Sequence, residues 1–339
     1  MEFSVVKLEP RSSFHIGERG VGLEGTFTII HSDTLFGAIC NAIKLLYGME
    51  EVEKIINSFK EGKPPFLISS AFIYVDDIYT LPLPLSLNWK NYFSDFDIVK
   101  QLKKIKFITK SIFEDIVQEE SNIRRYIEIE KQKDHVEING IKKGILFPID
   151  EYPDMDIYVT TEIPRVVLDR ITNASNIYYF GEVQFSKKCG FYFLIDFRDK
   201  SIRKKFKAAI NLLGDEGIGG KRSSGKGLFK PKFEKIQFDL PNSDNFVALS
   251  LIYPKKDELT PIIKGFYELL LRGGWAYSSD LKDIRRKTIR MIAEGSVLRG
   301  KITGKIIDVT PGREELPHQL YRYGHSFLIP WCSKNGYKN

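Results

Sequence analysis

Residues 215–229 read DEGIGGKRSSGKGLF, with five glycines, two serines and three cations between a helix-forming run and a strand-forming one. Glycine admits positive φ and close backbone approach, so such a segment makes a tight, phosphate-sized turn. The nucleotide-binding folds place their glycine turn between a strand and the N-terminus of a helix. Here the order is helix to strand. A Walker A pattern is followed at Gly220, Gly225 and Lys226, but Gly227 stands where the Mg²⁺-binding hydroxyl belongs. The dinucleotide fingerprint would need a third glycine where Arg222 stands. Motif and order together exclude a nucleotide-cofactor site. Two readings remain. One is a turn that needs glycine for geometry alone. The other is an anion cradle of successive amides, with Ser223 and Ser224 adding hydroxyls and Lys221, Arg222 and Lys226 adding charge.

The flanking segments set the fold class. FSVVKLEP alternates as a strand does. HSDTLFGAICNAIKLLYG puts Leu35, Phe36, Ile39, Ile43, Leu46 and Tyr47 on one helical face, with Ser32, Asp33 or Thr34 to cap it and Gly48 to end it. A second short helix carries Val52, Ile55, Ile56 and Phe59, and FLISSAFIYV then reads as one strand. IYYFGEVQF and CGFYFLIDF read as two more. DKSIRKKFKAAINLLGDEG aligns Ile202, Phe206, Ala209, Ile210 and Leu213 on a helix whose other face is basic, and KFEKIQFDL follows as a strand. FVALSLIYP is a strand. A helix is predicted from a Thr260 cap, with Pro261 at its first position, through Leu271. KTIRMIAEGSVL, GKIIDVT and HSFLIPW close the chain as strands. Residues 81–160, proline-punctuated and weakly periodic, read as a partly helical insertion. Strands and helices without strict alternation predict an α+β protein with antiparallel sheets. A length of 339 residues predicts two domains.

Charge narrows the partner class. The chain carries a formal +7. Residues 186–235 hold 14 Lys/Arg against 5 Asp/Glu, and residues 271–305 hold 9 against 3. Residues 110–162 are the reverse, with 7 against 13. Two basic regions beside an acidic insertion point to a polyanion. No run of about 18 apolar residues is present, so no membrane span is expected, and the N-terminus lacks a signal-peptide pattern. Three scattered cysteines, Cys40, Cys189 and Cys332, predict a reducing, cytoplasmic setting without a structural zinc.

Several motifs occur in order: FHIGE (14–18), HSDTLFGAI (31–39), PRVVLDRITNASNIYYFGEV (164–183), EGIGGKRSSGKGLF (216–229), RGGWAYSS (272–279), EGSVLRG (294–300), and DVTPG through YRYGHSFLIP (308–330). Together they resemble the RAMP superfamily of CRISPR proteins, and within it the fourth small subunit of the type III-A, or Csm, interference complex. The resemblance runs from near residue 3 to near residue 331 and is weakest over 90–160. It implies two RRM-like, ferredoxin-type domains, 1–240 with an insertion around 81–160 and 241–339. The glycine-rich loop would then join the helix and last strand of the first. It also implies an antiviral role: holding the repeat-derived 5′ tag of the CRISPR RNA at one end of the complex. Such a subunit docks to the large polymerase-like subunit and to a backbone RAMP subunit. No catalytic residue, metal or cofactor is implied.

Carried onto this sequence, the resemblance assigns Gly219, Gly220, Lys221, Arg222, Ser223, Ser224, Gly225 and Lys226 to tag phosphates, contacts that position RNA without reading it. Arg165 and Arg170 fall on a segment that forms a thumb-like projection against RNA in the superfamily. Of Tyr178, Tyr179 and Phe180, two are expected in the core and one is left to stack on bases. His15 is expected to bind RNA or support the fold. The rival is a metal-independent endoribonuclease with His15 as general acid/base, and a further alternative is an adaptor that touches no RNA. Backbone subunits of Csm complexes cleave target RNA with an aspartate. Asp33, at a helix start, is expected to cap the helix instead. The acidic DEYPDMD (150–156) is expected to be a solvated loop. Arg286, Arg290 and Arg299 face RNA or a partner, and the resemblance assigns no role to Arg322 or His325.

Overall fold

The computed structural model describes residues 1–17, 26, 28–131, 136–168, 175–275, 284–312, 316 and 318–331. The chain opens with β1 (Glu2–Pro10), α1 (Ser32–Tyr47), α2 (Met49–Lys60), β2 (Phe66–Ile68), β3 (Phe72–Val75) and β4 (Ile78–Pro82). The insertion contributes α3 (Phe96–Leu102), β5 (Phe107–Thr109), α4 (Lys110–Gln118), β6 (Glu128–Lys131), β7 (Val136–Asn139), β8 (Ile141–Lys142) and β9 (Ile145–Leu146). Next come β10 (Tyr158–Leu168), β11 (Ser175–Phe185), β12 (Cys189–Phe197), α5 (Arg203–Glu216) and β13 (Phe229–Gln237). The remainder holds β14 (Phe246–Ala248), α6 (Leu259–Ile263), β15 (Leu269–Arg272), β16 (Ile289–Ile292), β17 (Val297–Leu298), β18 (Ile307–Asp308), β19 (Tyr321–Arg322) and β20 (Leu328–Pro330).

The principal sheet has the order β13-β1-β12-β3-β4-β5-β9-β8, with β2 also pairing β12. Its first four strands, with α1 between β1 and β3 and α5 between β12 and β13, follow the β-α-β-β-α-β run. All of its strand pairs are antiparallel except β5 with β9. The two-residue period of β1 explains how the sheet is covered. Val6 and Leu8 pack with α1, α2 and α5, through Phe36, Ile39, Phe59, Phe206 and Ile210. Phe3 and Val5 point the other way, into a second cluster. That cluster draws Ile98, Ile112 and Phe113 from the insertion and Val247, Phe327 and Trp331 from the C-terminal part. Both faces of the sheet are therefore buried. The C-terminal part is bound to the rest through shared core, not held on a tether.

Several sequence expectations change. FLISSAFIYV is two strands, because Ser69 and Ser70 leave the ladder: the Ser69 hydroxyl accepts from Leu194 N–H at 2.9 Å, and Ser70 N–H donates to Leu249 O at 2.8 Å. FVALSLIYP is regular only over β14. Beyond it the Ser250 hydroxyl accepts from Phe327 N–H, and Leu251 N–H donates to the Ser32 hydroxyl. The helix predicted from Thr260 to Leu271 is a five-residue turn, α6, with Thr260 inside it, followed by a strand. Gly265 is the reason. A Cβ there would lie 2.2 Å from Val297 O, so the chain passes too close to β17 for any other residue. On α1, Leu46 and Tyr47 are exposed, not buried.

Candidate nucleic-acid interface

The glycine-rich loop is seated on the segment that follows β1. Gly220 N–H donates to His15 O at 2.9 Å, Gly227 N–H to Ser13 O at 2.8 Å, and Leu228 N–H to the Ser12 hydroxyl at 2.9 Å. Two glycines make this approach possible. A Cβ on Gly219, whose φ is 94°, would lie 2.4 Å from His15 O, and one on Gly220 would lie 2.6 Å from the His15 ring. Lys221 takes the left-handed conformation at φ 58°, and Arg222–Ser224 form one 3₁₀ turn. Most loop amides are thus engaged within the protein. What the loop turns outward is largely side chain: Lys221, Ser223, Ser224 and Gly225 are exposed and Arg222 is half-buried.

The opposite wall is the ribbon β10–β11, eleven residues on each strand, paired from Tyr158↔Phe185 to Leu168↔Ser175 and separate from the principal sheet. Its register puts Arg165 opposite Tyr178 and Ile163 opposite Phe180, all on one face by strand alternation. That face meets the loop. Lys221 Nζ lies 3.1 Å from the Tyr178 hydroxyl and sits over the Tyr178 and Phe180 rings at 5.1 and 5.8 Å. His15 is buried beneath, its ring centroid 4.3 Å from that of Phe180. Its Nδ1 is 2.6 Å from Gly181 O, and since a carbonyl only accepts, Nδ1 carries the proton. Burial, with Lys221 adding to it, lowers the His15 pKa, so the ring is neutral near pH 7 and Nε2 is an acceptor.

The structure thus brings together His15, Arg165 and Lys221, while Arg222 borders a groove formed by Ala38, Asn41 and Lys44 of α1 and Leu213 and Glu216 of α5, and Ser223, Ser224 and Gly225 continue the exposed turn. Lys226 is turned inward. Its ammonium is 2.5 Å from Glu182 and 2.9 Å from the Ser13 hydroxyl. Burial disfavours the Glu182 charge, but hydrogen bonds from Lys226 and Ser13 outweigh it and hold the carboxyl below its ordinary range. Lys226 is then a clasp between loop and ribbon. Arg170 lies outside the described residues. Of the aromatic trio only Phe180 is core; Tyr178 is half-buried under Lys221, and Tyr179 is exposed. The sequence expectation of two core residues fails because the ribbon stands away from the sheet.

Asp33 is not the N-cap residue of α1, although its Oδ1 accepts from Thr34 N–H in the first turn at 2.7 Å. The N-cap of α1 is His31, without a side-chain cap bond. Asp33 is fully buried and accepts from Arg272 Nε at 3.0 Å and Nη2 at 2.9 Å, and from Arg322 Nη1. Burial opposes its ionisation, but the two guanidiniums outweigh that and hold it far below the carboxylate range. A carboxylate so enclosed has no lone pair to offer a ribose hydroxyl or a metal. No local pattern signals this, because the two arginines lie 239 and 289 residues away. Among the described residues no His, Cys, Asp or Glu group is arranged to hold a metal ion, and no helix is long and apolar enough to cross a membrane.

These features define a class. Residues 7–230, which run from within β1 to the start of β13 and include the ribbon and the loop, match the family model of the RAMP superfamily. Residues 241–331 match the model described as the CRISPR Csm4 C-terminal domain. The protein named CRISPR system Cms protein Csm4 of Thermococcus onnurineus (strain NA1) is 32% identical over 335 residues, covering 97% of this chain and 96% of that one. Its counterpart in Methanocaldococcus jannaschii is 28% identical, with 98% of each covered. The chain belongs to the Csm4 family. Among solved structures it is similar to a chain of a Csm3-Csm4 subcomplex of the type III-A CRISPR-Cas interference complex, with a TM-score of 0.67, 25% identity, and 98% and 100% coverage. It is also similar to a chain of a Csm1-Csm4 cassette in complex with cA4, with a TM-score of 0.63, 27% identity, and 99% and 100% coverage.

Proposed function

We propose that this chain is the CRISPR RNA-binding subunit at one end of a type III-A effector, holding the 5′ tag between the glycine-rich loop and the inner face of the β10–β11 ribbon. The observation that carries this is the seating of exposed Lys221 against Tyr178 and Phe180 of the ribbon, with Arg165 cross-strand from Tyr178 and neutral His15 beneath. Lys221, Arg222 and Arg165 suit phosphates, Tyr178 offers a ring beside them, and His15 Nε2 suits a ribose 2′-hydroxyl as donor. We read residues 1–240 and 241–339 as two RRM-like domains. An RRM usually takes RNA on its open sheet. Here the sheet face opposite the helices is covered by the insertion and the C-terminal part, which favours the loop edge as the RNA path. Docking to a large polymerase-like subunit and to a backbone subunit follows from the relatives' Csm1 and Csm3 assemblies. A cytoplasmic setting accords with that role. The role needs no catalyst, metal or cofactor.

The test is tag-RNA affinity of the full chain against salt. Lys221→Ala with Arg222→Ala should weaken binding at least tenfold and reduce the salt slope by about 1.4, since each single-strand phosphate contact adds about 0.7. Unchanged binding would mean that the loop does not hold RNA. Incubation with repeat RNA in EDTA tests the nuclease alternative. A specific cut that disappears in His15→Ala would assign His15 to chemistry, and absence of crosslinks from RNA to 216–229 in the assembled complex would favour the adaptor.

A further inference from the structure

The hairpin β15–β16 and its extension carry a second set of features suited to single-stranded RNA. Trp275 pairs across the hairpin with Arg285, whose guanidinium carbon is 4.7 Å from the indole ring centroid. Trp275 is 57% exposed, although a tryptophan left in water forgoes much apolar burial. The segment that leads into β16 reads RRKTIR over 285–290, four cations in six residues, between Asp283 and Glu294. Arg285, Lys287 and Arg290 are exposed. Glu294 does not offset them, since it is buried and bound to His31.

Beneath the hairpin Arg286 lies within electrostatic reach of Arg322, Asp33 and Arg272. Arg286 Nε is buried with no hydrogen-bond partner. Burial, then repulsion from Arg322, lowers its pKa to about 10, which leaves it charged at neutral pH.

We propose that the β15–β16 hairpin is a second RNA-contact surface, in which a base stacks on Trp275 and phosphates lie along Arg285, Lys287 and Arg290. An apolar protein partner would fit Leu269, Leu271 and Trp275, which are exposed, but it would bury several cations without counterions. A polyanion that also carries flat rings matches both the charge and the indole. The surface is independent of the loop cleft.

Tryptophan emission tests it directly. Trp89 and Trp331 are buried, so quenching by a bound base reports Trp275. The probe is a 12-nucleotide single-stranded oligouridylate, added to the full chain and to the Lys221→Ala/Arg222→Ala variant. Saturable quenching is expected in both, so failure of the loop reading leaves it intact. Trp275→Phe should abolish the signal while retaining affinity. Trp275→Ala in the loop-defective variant should weaken binding about tenfold, and Arg285→Gln with Arg290→Gln should reduce the salt slope by about 1.4. Absence of quenching in the unmodified chain, or unchanged affinity in Trp275→Ala, overturns the proposal. So does protection of Trp275 from iodide in an assembled complex prepared without RNA, because a protein partner would then occupy the hairpin.

Discussion

Asp33→Asn keeps the shape of one side chain and removes its charge. In the native protein that carboxylate is 0% exposed and faces Arg272 and Arg322, whose side chains are 8% and 2% exposed. Two unit charges about 4 Å apart interact by about 4 kcal/mol at an effective dielectric constant of 20. Removing one member of a buried pair costs about 3–5 kcal/mol, because the other charge stays buried and uncompensated. Asparagine can still accept from one guanidinium, so we expect a loss of about 4 kcal/mol, a large part of a typical domain's 5–15 kcal/mol. At roughly 2 °C per kcal/mol for a chain of this size, the melting temperature should fall by about 8 °C. Calorimetry on the full chain measures it. A triple variant, Asp33→Leu with Arg272→Met and Arg322→Met, should recover most of the loss, since apolar replacement of a whole buried ion cluster is often tolerated. A melting temperature within 2 °C of the parent for Asp33→Asn would refute the argument. If that same variant abolished an RNA cut without changing stability, Asp33 would be a catalyst rather than a structural group.

Three other outcomes follow from particular contacts. Gly220→Ala should displace the loop from His15, where its Cβ would meet the ring at 2.6 Å, and reduce tag-RNA affinity about tenfold, while Gly225→Ala, with nothing within 4 Å, should cost only about 1 kcal/mol of left-handed backbone strain; melting and binding curves for the two separate these effects. Burial lowers the His325 pKa from 6.5 to about 4. Below pH 6.5 the unfolded chain takes a proton that the native state refuses, so stability should fall by roughly 3 kcal/mol as pH drops from 6.5 to 4; urea titrations across that range should show the slope, and His325→Phe should flatten it. Gly265→Ala should destabilise the α6–β15 turn by several °C in melting temperature, because its Cβ would lie 2.2 Å from Val297 O, and an unchanged melting temperature would show that the turn yields.

Much of the first 240 residues was legible because its signals are local. The apolar stripe from Ile202 to Leu213 and the alternation in β1 both specify which face is buried, and the helix-to-strand position of the glycines by itself excludes the nucleotide folds. Legibility failed where the deciding contact is distant in sequence. Ser69, Ser70 and Ser250 interrupt strands by bonding to Leu194, Leu249 and His325, between 75 and 179 residues away in the chain. The α6 helix is shorter than its apolar run to Leu271 suggests, because nothing in that run signals that β17 lies against Gly265. Leu46 and Tyr47 fit a helical stripe, but α1 extends past the elements that cover it.

The sequence by itself determined the α+β class, the loop's unsuitability for a nucleotide, the basic character of two regions and, through ordered motifs, the family. Tertiary structure alone decided that Lys226 is a clasp while Lys221 faces outward, that His15 is a neutral acceptor under the loop, and that Asp33 is locked between two arginines. The physical reason is the range of the forces involved. Periodicity, capping and turn preference act within a few residues and can be read along a chain. Burial, charge pairing and close backbone approach depend on what the fold brings together, and at this site the partners of residues 13, 15 and 33 lie between 166 and 289 positions away.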